Sequence, residues 1–512
     1  MDKKNTHDIS YISMKGITKT FGRVIANNHI DLNIGKGEVH SLLGENGAGK
    51  STLMNMLSGI YTPDSGSIFI RGEEVRFGSP KDSIAAGIGM IHQHFKLVEV
   101  LTAKENIILG QKNKFFLNGK ELTKRVHELC RKFEIEINPD KKVYDMSVSE
   151  KQNLEILKVL YRGADILILD EPTAVLTPQE IKKLFNIMGS MKKQGCAVIF
   201  ISHKMNEVME ISDKVTVLRK GETIKTLDKE ATSPKELTEL MVGRSINLEI
   251  ERIETGDKRL MLEVKDLQAT DDQGVGVLKG VSFNLHGGEI LGVAGIAGSG
   301  QKELCEAIAG LYSVKSGEIL FEGDNLVGKS PREIITKGIS MSFIPEDRLG
   351  MGLVASMDMV DNIILKQYQN QKGFLIDRKP ARDKAKEIIK KLDIQTPGIH
   401  HPIRQLSGGN IQKVLLGREL DSNPHLLITA YPVRGLDINA SYKIYDLLNE
   451  EKKKGVGVIF IGEDIDVLIE LCDRIVVMCD GEVIGIVDAK IATKEKIGLM
   501  MVGGHKIGNQ DN

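Results

Sequence analysis

Short apolar runs that end in polar residues recur along the chain. Residues 166–169 and 198–201 are such runs, and residues 426–428 and 458–461 repeat them later in the chain. Segments of helical length, such as residues 178–193, separate the runs. This alternation is typical of buried parallel strands in a doubly wound α/β fold. Ligands of such sheets bind at the carboxyl ends of the strands, so the polar residues that follow the runs are candidates for chemistry.

The chain is an internal duplication. Residues 37–39 match residues 288–290 at an offset of 251, and residues 241–243 match residues 501–503 at an offset of 260. A length of 512 residues also fits two domains better than one. The sequence predicts a first α/β domain over residues 10–244, a charged linker over 245–258, a second α/β domain over 259–503 and a flexible tail over 504–512.

Composition and charge exclude several partner classes. Lys and Arg number 69 against 70 Asp and Glu, so no global basic field favours nucleic acid. The five cysteines are scattered without metal-ligand spacing, which predicts reduced thiols and neither zinc nor disulfides. Residues 1–10 lack the apolar stretch of a signal peptide, and no apolar run approaches the ~20 residues of a membrane span. We expect a chain that is not exported and has no transmembrane segment of its own.

A complete phosphate-binding loop lies in the first half. Residues 44–51 read Gly-Glu-Asn-Gly-Ala-Gly-Lys-Ser, in which Lys50 would reach the phosphates and the Ser51 hydroxyl would bind Mg²⁺. The alternative is a glycine-rich turn before a helix. The apolar run before the loop and the helical continuation after it favour phosphate binding. The candidate nucleotide ligands are Gly44, Glu45, Asn46, Gly47, Ala48, Gly49, Lys50, Ser51 and Thr52.

Other candidates for chemistry follow the apolar runs of the first half. Asp170 and Glu171 end one run, where Asp170 could hold Mg²⁺ and Glu171 could polarise the attacking water. His203 follows the next run and could reach the γ-phosphate, and Gln93 could touch both the metal and the water. The alternatives are an exposed acidic strand end and a structural histidine.

In order and spacing, these elements resemble the Walker A, Q-loop, Walker B and switch-histidine motifs of ABC ATPases, over residues 10–503. The signature of that family, LSGGQ, resembles residues 406–410, which read Leu-Ser-Gly-Gly-Asn. The resemblance implies two P-loop domains, each with a mixed or parallel sheet core, an N-terminal β-subdomain and a helical subdomain. It also implies that Phe21 stacks on adenine. Each ATP would lie between the Walker A motif of one domain and the signature of the other, which adds Ser407, Gly408, Gly409 and Asn410 to the nucleotide ligands.

Each half lacks a different part of this machinery. The first half reads Met-Ser-Val-Ser-Glu over residues 146–150, where the signature should be, and Ser149 lies near a helix N-terminus, where serine is favoured as a cap. The second half has lost its catalytic residues. Gln301 replaces the lysine, Ala430 the metal-binding aspartate and Tyr431 the catalytic glutamate. Glu463 replaces the switch histidine, Glu346 the Q-loop glutamine and Asp272 the adenine-stacking aromatic. The intact Walker motifs of the first half would therefore pair with the intact signature of the second half, and the damaged motifs would pair with each other. This pairing predicts one competent composite site and one degenerate site.

The tandem arrangement with a degenerate second half resembles the ATPase subunit of bacterial sugar and nucleoside importers. Residues 91–98 and 426–437 look most like the nucleoside branch, although Ser149 and Tyr431 depart from its pattern. The resemblance implies ATP and Mg²⁺ as cofactors, two membrane permease subunits and an extracytoplasmic substrate-binding protein as partners, and a peripheral location at the cytoplasmic face of the membrane. The permeases would dock near residues 94–105 and after Glu346, unless the apolar side chains there pack internally.

Three other functions stay open at this stage. One is an importer ATPase for monosaccharides of the ribose or galactose type. Another is a soluble tandem ABC ATPase that acts on ribosomes or nucleic acid, although such chains typically carry a long charged linker and two intact halves. The third is a nucleotide sensor without turnover, which would require Glu171 and His203 to be inert.

Overall fold

The computed structural model describes residues 10–503 apart from 23, 93–94, 111–118, 174–175, 203, 244–249, 257–258, 337–340, 346, 369–370, 372–374, 435, 437 and 463. The chain divides into two compact units between residues 247 and 248. The described part of the chain contains no helix with the length and apolar character that a bilayer span requires.

The first unit alternates strands and helices as predicted. Its strands are β1 Ile12–Phe21, β2 Val24–Ile34, β3 Val39–Leu43, β4 Ser65–Ile70, β5 Glu73–Val75, β6 Ile88–Ile91, β7 Ile166–Asp170, β8 Ala197–Ile201, β9 Lys214–Arg219 and β10 Glu222–Asp228. Its α-helices are α1 Lys50–Leu57, α2 Pro80–Ala85, α3 Ala103–Ile108, α4 Gly119–Phe133, α5 Val148–Tyr161, α6 Pro178–Lys193, α7 Met205–Ile211 and α8 Pro234–Val242.

Two sheets organise the first unit. The larger sheet has the order β10-β9-β3-β8-β7-β6, with parallel pairing from β9 through β6 and β10 added as an antiparallel edge strand. The smaller sheet, β2-β1-β4-β5, is antiparallel. Every residue of β3 and β8 is buried, as expected for central strands that helices cover on both faces. The predicted mixed sheet core and N-terminal β-subdomain are confirmed.

The helices begin where local chemistry favours them. α6 starts after Thr177, whose hydroxyl accepts a hydrogen bond from the Glu180 N–H while the Glu180 carboxylate accepts one from the Thr177 N–H at 2.9 Å. Pro178 occupies the first helical position, where its missing N–H costs nothing. This capping box explains why the helix starts at the residue that the sequence predicts.

The second unit repeats the fold. Its strands are β11 Leu260–Thr270, β12 Gly276–His286, β13 Ile290–Ala294, β14 Ser316–Phe321, β15 Asp324–Asn325, β16 Met341–Ile344, β17 Leu426–Ala430, β18 Gly457–Ile461, β19 Arg474–Cys479 and β20 Glu482–Asp488. Its α-helices are α9 Gln301–Ile308, α10 Pro331–Thr336, α11 Met359–Gln367, α12 Lys379–Leu392, α13 Gly408–Asp421, α14 Ile438–Lys453, α15 Ile465–Leu471 and α16 Lys494–Met501. The sheet orders β12-β11-β14-β15 and β16-β17-β18-β13-β19-β20 match those of the first unit.

The described part of the predicted linker packs on the second unit. The Thr255 hydroxyl donates to the Gly288 carbonyl at 2.6 Å, and the Asn449 side-chain amide donates to the Glu251 carbonyl at 2.8 Å. Glu254 forms an ion pair with Lys490. Residues 250–256 therefore move with the second unit rather than as a free tether.

Candidate nucleotide-binding and catalytic site

The phosphate loop of the first unit connects β3 to α1. Gly47 and Gly49 have φ angles of +84° and +97°, a region that side chains other than glycine rarely adopt. A Cβ atom at Gly49 would also lie 2.4 Å from the carbonyl oxygen of Ala26. The glycines are therefore required for the tight turn that leads into α1, whose first N–H groups have no partner within the helix.

Lys50 lies along this loop. Its ammonium donates to the carbonyls of Gly44 at 2.6 Å and Glu45 at 3.1 Å, and the residue is buried. Burial lowers the pKa of Lys50, while the negative charges of Glu171, Asp170 and Glu45 oppose that shift. The Lys50 ammonium therefore lies close enough to Asp170 and Glu171 for their charges to act on it.

The two carboxylates stand at a fixed turn. Asp170 ends β7, and Glu171 follows with a left-handed φ of +47° while its N–H donates to the Ile201 carbonyl of β8 at 3.0 Å. Burial raises the pKa of Asp170, the adjacent charge of Glu171 adds to the rise, and Lys50 opposes it. Asp170 and Glu171 are adjacent, partly buried carboxylates, and the nearby Lys50 cation stabilises their charged forms.

The donor set suits Mg²⁺. Within the described residues, no three His, Cys, Asp or Glu side chains form a metal cluster. Mg²⁺ needs no such cage, because it usually takes one or two protein oxygens and completes its shell with water and phosphate. Asp170 and the exposed hydroxyl-bearing Ser51 are ligands of this type.

Several predicted site residues lie outside the described residues. They are Gln93 and His203 in the first half, and Glu346 and Glu463 in the second. Their proposed roles stay predictions from the sequence.

Phe21 ends β1 with 43% of its surface exposed. Its ring meets Tyr61 edge-on, with 5.2 Å between the ring centroids, and the Lys19 ammonium lies 5.7 Å from its centroid. Sequence reasoning missed Tyr61, because 40 residues separate it from Phe21 and no local pattern links them. The exposed ring is free to stack on a planar ligand.

The signature region of the second unit opens a long helix. Ser407 caps α13, and its Oγ accepts from the Asn410 N–H at 3.4 Å and from the Asn410 side-chain amide at 2.9 Å. Ser407 and Gly408 are exposed. A neutral, small and exposed helix N-terminus is a favourable place for a phosphate.

The same position in the first unit carries a negative charge. The cap of α5 is Ser147 rather than Ser149, and the Glu150 carboxylate accepts from the Ser147 N–H at 2.7 Å. Glu150 also pairs with Lys141 at 2.8 Å. A carboxylate thus stands at this helix N-terminus, where the second unit has the neutral Asn410, and its charge disfavours an incoming phosphate.

The second unit keeps the backbone of a phosphate loop without its cation. Gly298 and Gly300 have φ angles of +88° and +95°, and the Gln301 amide donates to the Ile296 carbonyl at 3.2 Å, the counterpart of the bond from Lys50 to Glu45. Lys302 pairs along the helix with Glu306 at 3.8 Å, and its side chain is 60% exposed. Lys302 therefore does not take the place of the missing lysine along the loop.

Four carboxylates lie near Tyr312, the residue that corresponds to Tyr61 of the first unit. Burial raises the pKa of Tyr312, and the negative charges of Glu303, Asp271, Asp272 and Glu306 raise it further. The matching residues of the first unit are uncharged: Thr52, Thr20, Phe21 and Asn55. Of these four acids, only Asp272 was predicted from the sequence, although the other three also differ in charge between the two halves.

Comparison with protein families identifies the chain. The family model described as ABC transporter matches residues 27–174 and matches again over residues 278–432. The chain belongs to the ABC transporter family. ATP binding is a property of this family, and the fold predicted from the sequence is confirmed.

Several curated ABC proteins resemble the chain over nearly its whole length. The nucleoside import ATP-binding protein NupA of Lactococcus lactis is 42% identical over 96% of this chain and 98% of its own length. The guanosine import ATP-binding protein NupO of Bacillus subtilis is 43% identical over 96% and 97%. The ribose import ATP-binding protein RbsA 1 of Rubrobacter xylanophilus is 39% identical over 96% and 98%.

Restoring the lysine of the second loop is expected to create no second hydrolytic site. The variant Gln301→Lys would still have Ala430 and Tyr431 where a metal ligand and a base are needed. Phosphate release should be measured for Gln301→Lys alone and in a Glu171→Gln background. Turnover in the double variant above that of Glu171→Gln would contradict this prediction.

Proposed function

We propose that this chain is the ATP-hydrolysing subunit of an ABC importer for nucleosides or related simple sugars, and that it has one competent ATP site. That site would combine the Walker motifs of the first domain with the signature of the second. The single observation that carries this proposal is the complementary damage to the two halves. The names of the similar proteins add import as the process and nucleosides as the favoured substrate class.

Each motif residue has a distinct task in the proposed site. Lys50 and the loop N–H groups would hold the phosphates, and Phe21 would stack on the adenine. Ser51, Asp170 and Gln93 would hold Mg²⁺, which neutralises phosphate charge when bound. Glu171 would orient and deprotonate the attacking water, and His203 would contact the γ-phosphate.

The second loop would serve no hydrolysis. Its cation is replaced by the Gln301 amide, and Glu303 and Glu306 lie on the helix that follows it. A triphosphate placed there would lack the compensating cation that Lys50 supplies in the first unit, which disfavours binding. The first-unit signature would add the Glu150 carboxylate to the same degenerate site.

Permease docking is supported by a short apolar surface on each unit. Val98 is 39% and Val100 is 70% exposed. The Asn106 side chain holds this segment from behind, accepting from the Val98 N–H at 2.8 Å and donating to the Val98 carbonyl at 3.0 Å. Asn362 makes the same pair of bonds to Val354 in the second unit. The segments are thus held rigidly with apolar side chains facing outward, which suits a docking surface better than internal packing.

The variant Val100→Asp is expected to reduce substrate uptake about tenfold or more, because it places a charge in an apolar interface. ATP hydrolysis by the purified chain should stay within about twofold of wild type, since Val100 lies outside the phosphate loop and the strand ends. The matched control is Ile491→Asp, an apolar residue of the second unit with 75% exposure. Equal losses of uptake in both variants would contradict docking at Val100.

The substrate class is tested by uptake. Cells with and without this chain should be compared for accumulation of labelled nucleosides and of labelled ribose. Loss of nucleoside uptake alone would support the nucleoside assignment, and loss of ribose uptake alone would favour the monosaccharide alternative that the ribose import protein represents. Unchanged uptake of both would contradict a role in import of either class.

A further inference from the structure

A buried carboxylate joins the loops that follow β7 and β8 in the first unit. Glu207 lies on α7 and is 6% exposed. Its Oε2 accepts from the Thr173 hydroxyl at 2.6 Å and from the Ser202 hydroxyl at 3.2 Å, and both of these residues are 2% exposed. A buried carboxylate is costly unless it is hydrogen-bonded, so the two hydroxyls hold it in place and are held by it.

Lys204 completes this arrangement. Its ammonium lies 3.2 Å from Glu207 Oε1 and donates to the Thr173 carbonyl at 3.4 Å. Its backbone N–H donates to the Ser202 hydroxyl at 3.1 Å. Thr173, Ser202, Lys204 and Glu207 are called here the Glu207 network. Each of the two loops is bound to the other through side chains as well as through the sheet.

The Glu207 network joins the loops that carry the proposed catalytic groups. Thr173 lies two residues after Glu171, in the turn that the left-handed Glu171 begins. Ser202 and Lys204 are the sequence neighbours of His203 on either side. Fixing these loops to one carboxylate fixes the separation of the segments on which the base and the phosphate contact depend.

The second unit folds without the network. At an offset of 260, the four residues become Val433, Gly462, Asp464 and Val467. Among the described residues, both valines pack against the apolar core, and Asp464 instead caps α15 by accepting from the Asp466 N–H at 2.9 Å. Helix α15 still matches α7 in length and position. The fold therefore does not require the network. The network is present in the first unit, which has Asp170 and Glu171, and absent from the second unit, which has Ala430 and Tyr431 at those positions.

We infer that Glu207 is a positioning residue for ATP hydrolysis, an inference that rests on the proposed function. The hydrogen bonds and the ion pair described for the network join its own four residues and none of residues 44–52. Loss of Glu207 should therefore misalign the loops in the transition state while leaving ATP binding unchanged. Such misplacement of catalytic groups can cost as much as about 100-fold in rate.

The test compares three variants of the full chain for kcat, for KM of ATP and for thermal unfolding. Glu207→Val introduces the residue of the second unit, and Glu207→Gln keeps an acceptor for Thr173 but loses the charge that faces Lys204. The third variant, called the transplant, introduces the four matching residues of the second unit together: Thr173→Val, Ser202→Gly, Lys204→Asp and Glu207→Val. This variant separates stability from positioning, because it restores a packing that folds well elsewhere in the chain.

We expect Glu207→Val to lower kcat about 10- to 100-fold with KM within about threefold of wild type. The kcat of Glu207→Gln should lie between that of Glu207→Val and that of wild type. The transplant should recover the midpoint of thermal unfolding but not kcat. Recovery of both by the transplant, or a kcat within twofold of wild type in Glu207→Val, would overturn the inference. If Glu207→Val does not fold, Glu207→Gln and the transplant decide in the same way. A wild-type chain without Glu171-dependent turnover would instead contradict the proposed function.

Discussion

Replacing Glu171 by glutamine is expected to leave ATP binding intact and to lower ATP turnover about 100-fold or more. The amide has the shape of the carboxylate but cannot take a proton from water. The left-handed turn and the bond from the residue 171 N–H to Ile201 are backbone features, so the substitution should not disturb them. Removal of a negative charge beside Lys50 should, if anything, favour the bound triphosphate.

The measurement is phosphate release together with equilibrium binding of ATP to the purified chain. The matched control is Tyr431→Gln, which changes the corresponding position of the second unit and should leave turnover within about twofold of wild type. Near-normal turnover in Glu171→Gln would remove Glu171 from the role of base. Absence of turnover in the wild-type chain would instead favour the sensor alternative.

Replacing Gly408 by valine is expected to abolish most ATP hydrolysis although Gly408 belongs to the second domain. The change introduces the residue that the first unit has at the matching position, Val148. The substituent would block the approach of a phosphate to the start of α13, and loss of such a contact typically costs about 100- to 1,000-fold in rate. The local fold should tolerate it, because a Cβ there would meet only the end of the Arg348 side chain, at 3.3 Å.

The reciprocal variant Val148→Gly serves as the control. It restores the small residue of the first signature, but the Glu150 carboxylate still occupies the helix start, so hydrolysis should stay within about twofold of wild type. Thermal unfolding of both variants would check that they fold. Full activity in Gly408→Val would contradict a site that combines the two domains, and the first domain would then hydrolyse ATP without the second signature.

The sequence predicted the fold in detail wherever a pattern was local. The apolar run at 198–201 lies within β8, and the helix expected over 178–193 is α6. The cap of α5 was misplaced by two residues, at Ser149 instead of Ser147, although the spacing of Ser147 and Glu150 is that of a capping box. A cap is decided by the side chain that reaches the third N–H of the helix, and serine content alone does not reveal this.

Features of the site that depend on distant residues were not predicted from one sequence. Thr173 and Glu207 are 34 residues apart, and nothing in either local pattern indicates that they meet. Only the parallel pairing of β7 with β8 brings their loops to the same edge of the sheet. The carboxylates Glu303 and Glu306 were missed for another reason, since their significance appears only when they are compared with Thr52 and Asn55 of the first unit. The duplication offers the one signal that could have revealed both, because each feature differs between the halves.

The turn after β17 retains a costly conformation that no longer has a chemical use. Tyr431 has a φ of +52° and donates its N–H to Ile461 at 2.9 Å, as Glu171 does to Ile201 in the other domain. A left-handed residue other than glycine costs about 1–2 kcal/mol, so selection had the opportunity to relax this turn. The same turn and the same backbone bond therefore occur with a carboxylate in one domain and without one in the other, so they belong to the fold rather than to the chemistry. An inactive domain can therefore preserve the backbone of a catalytic turn after the side chain that would use it is absent.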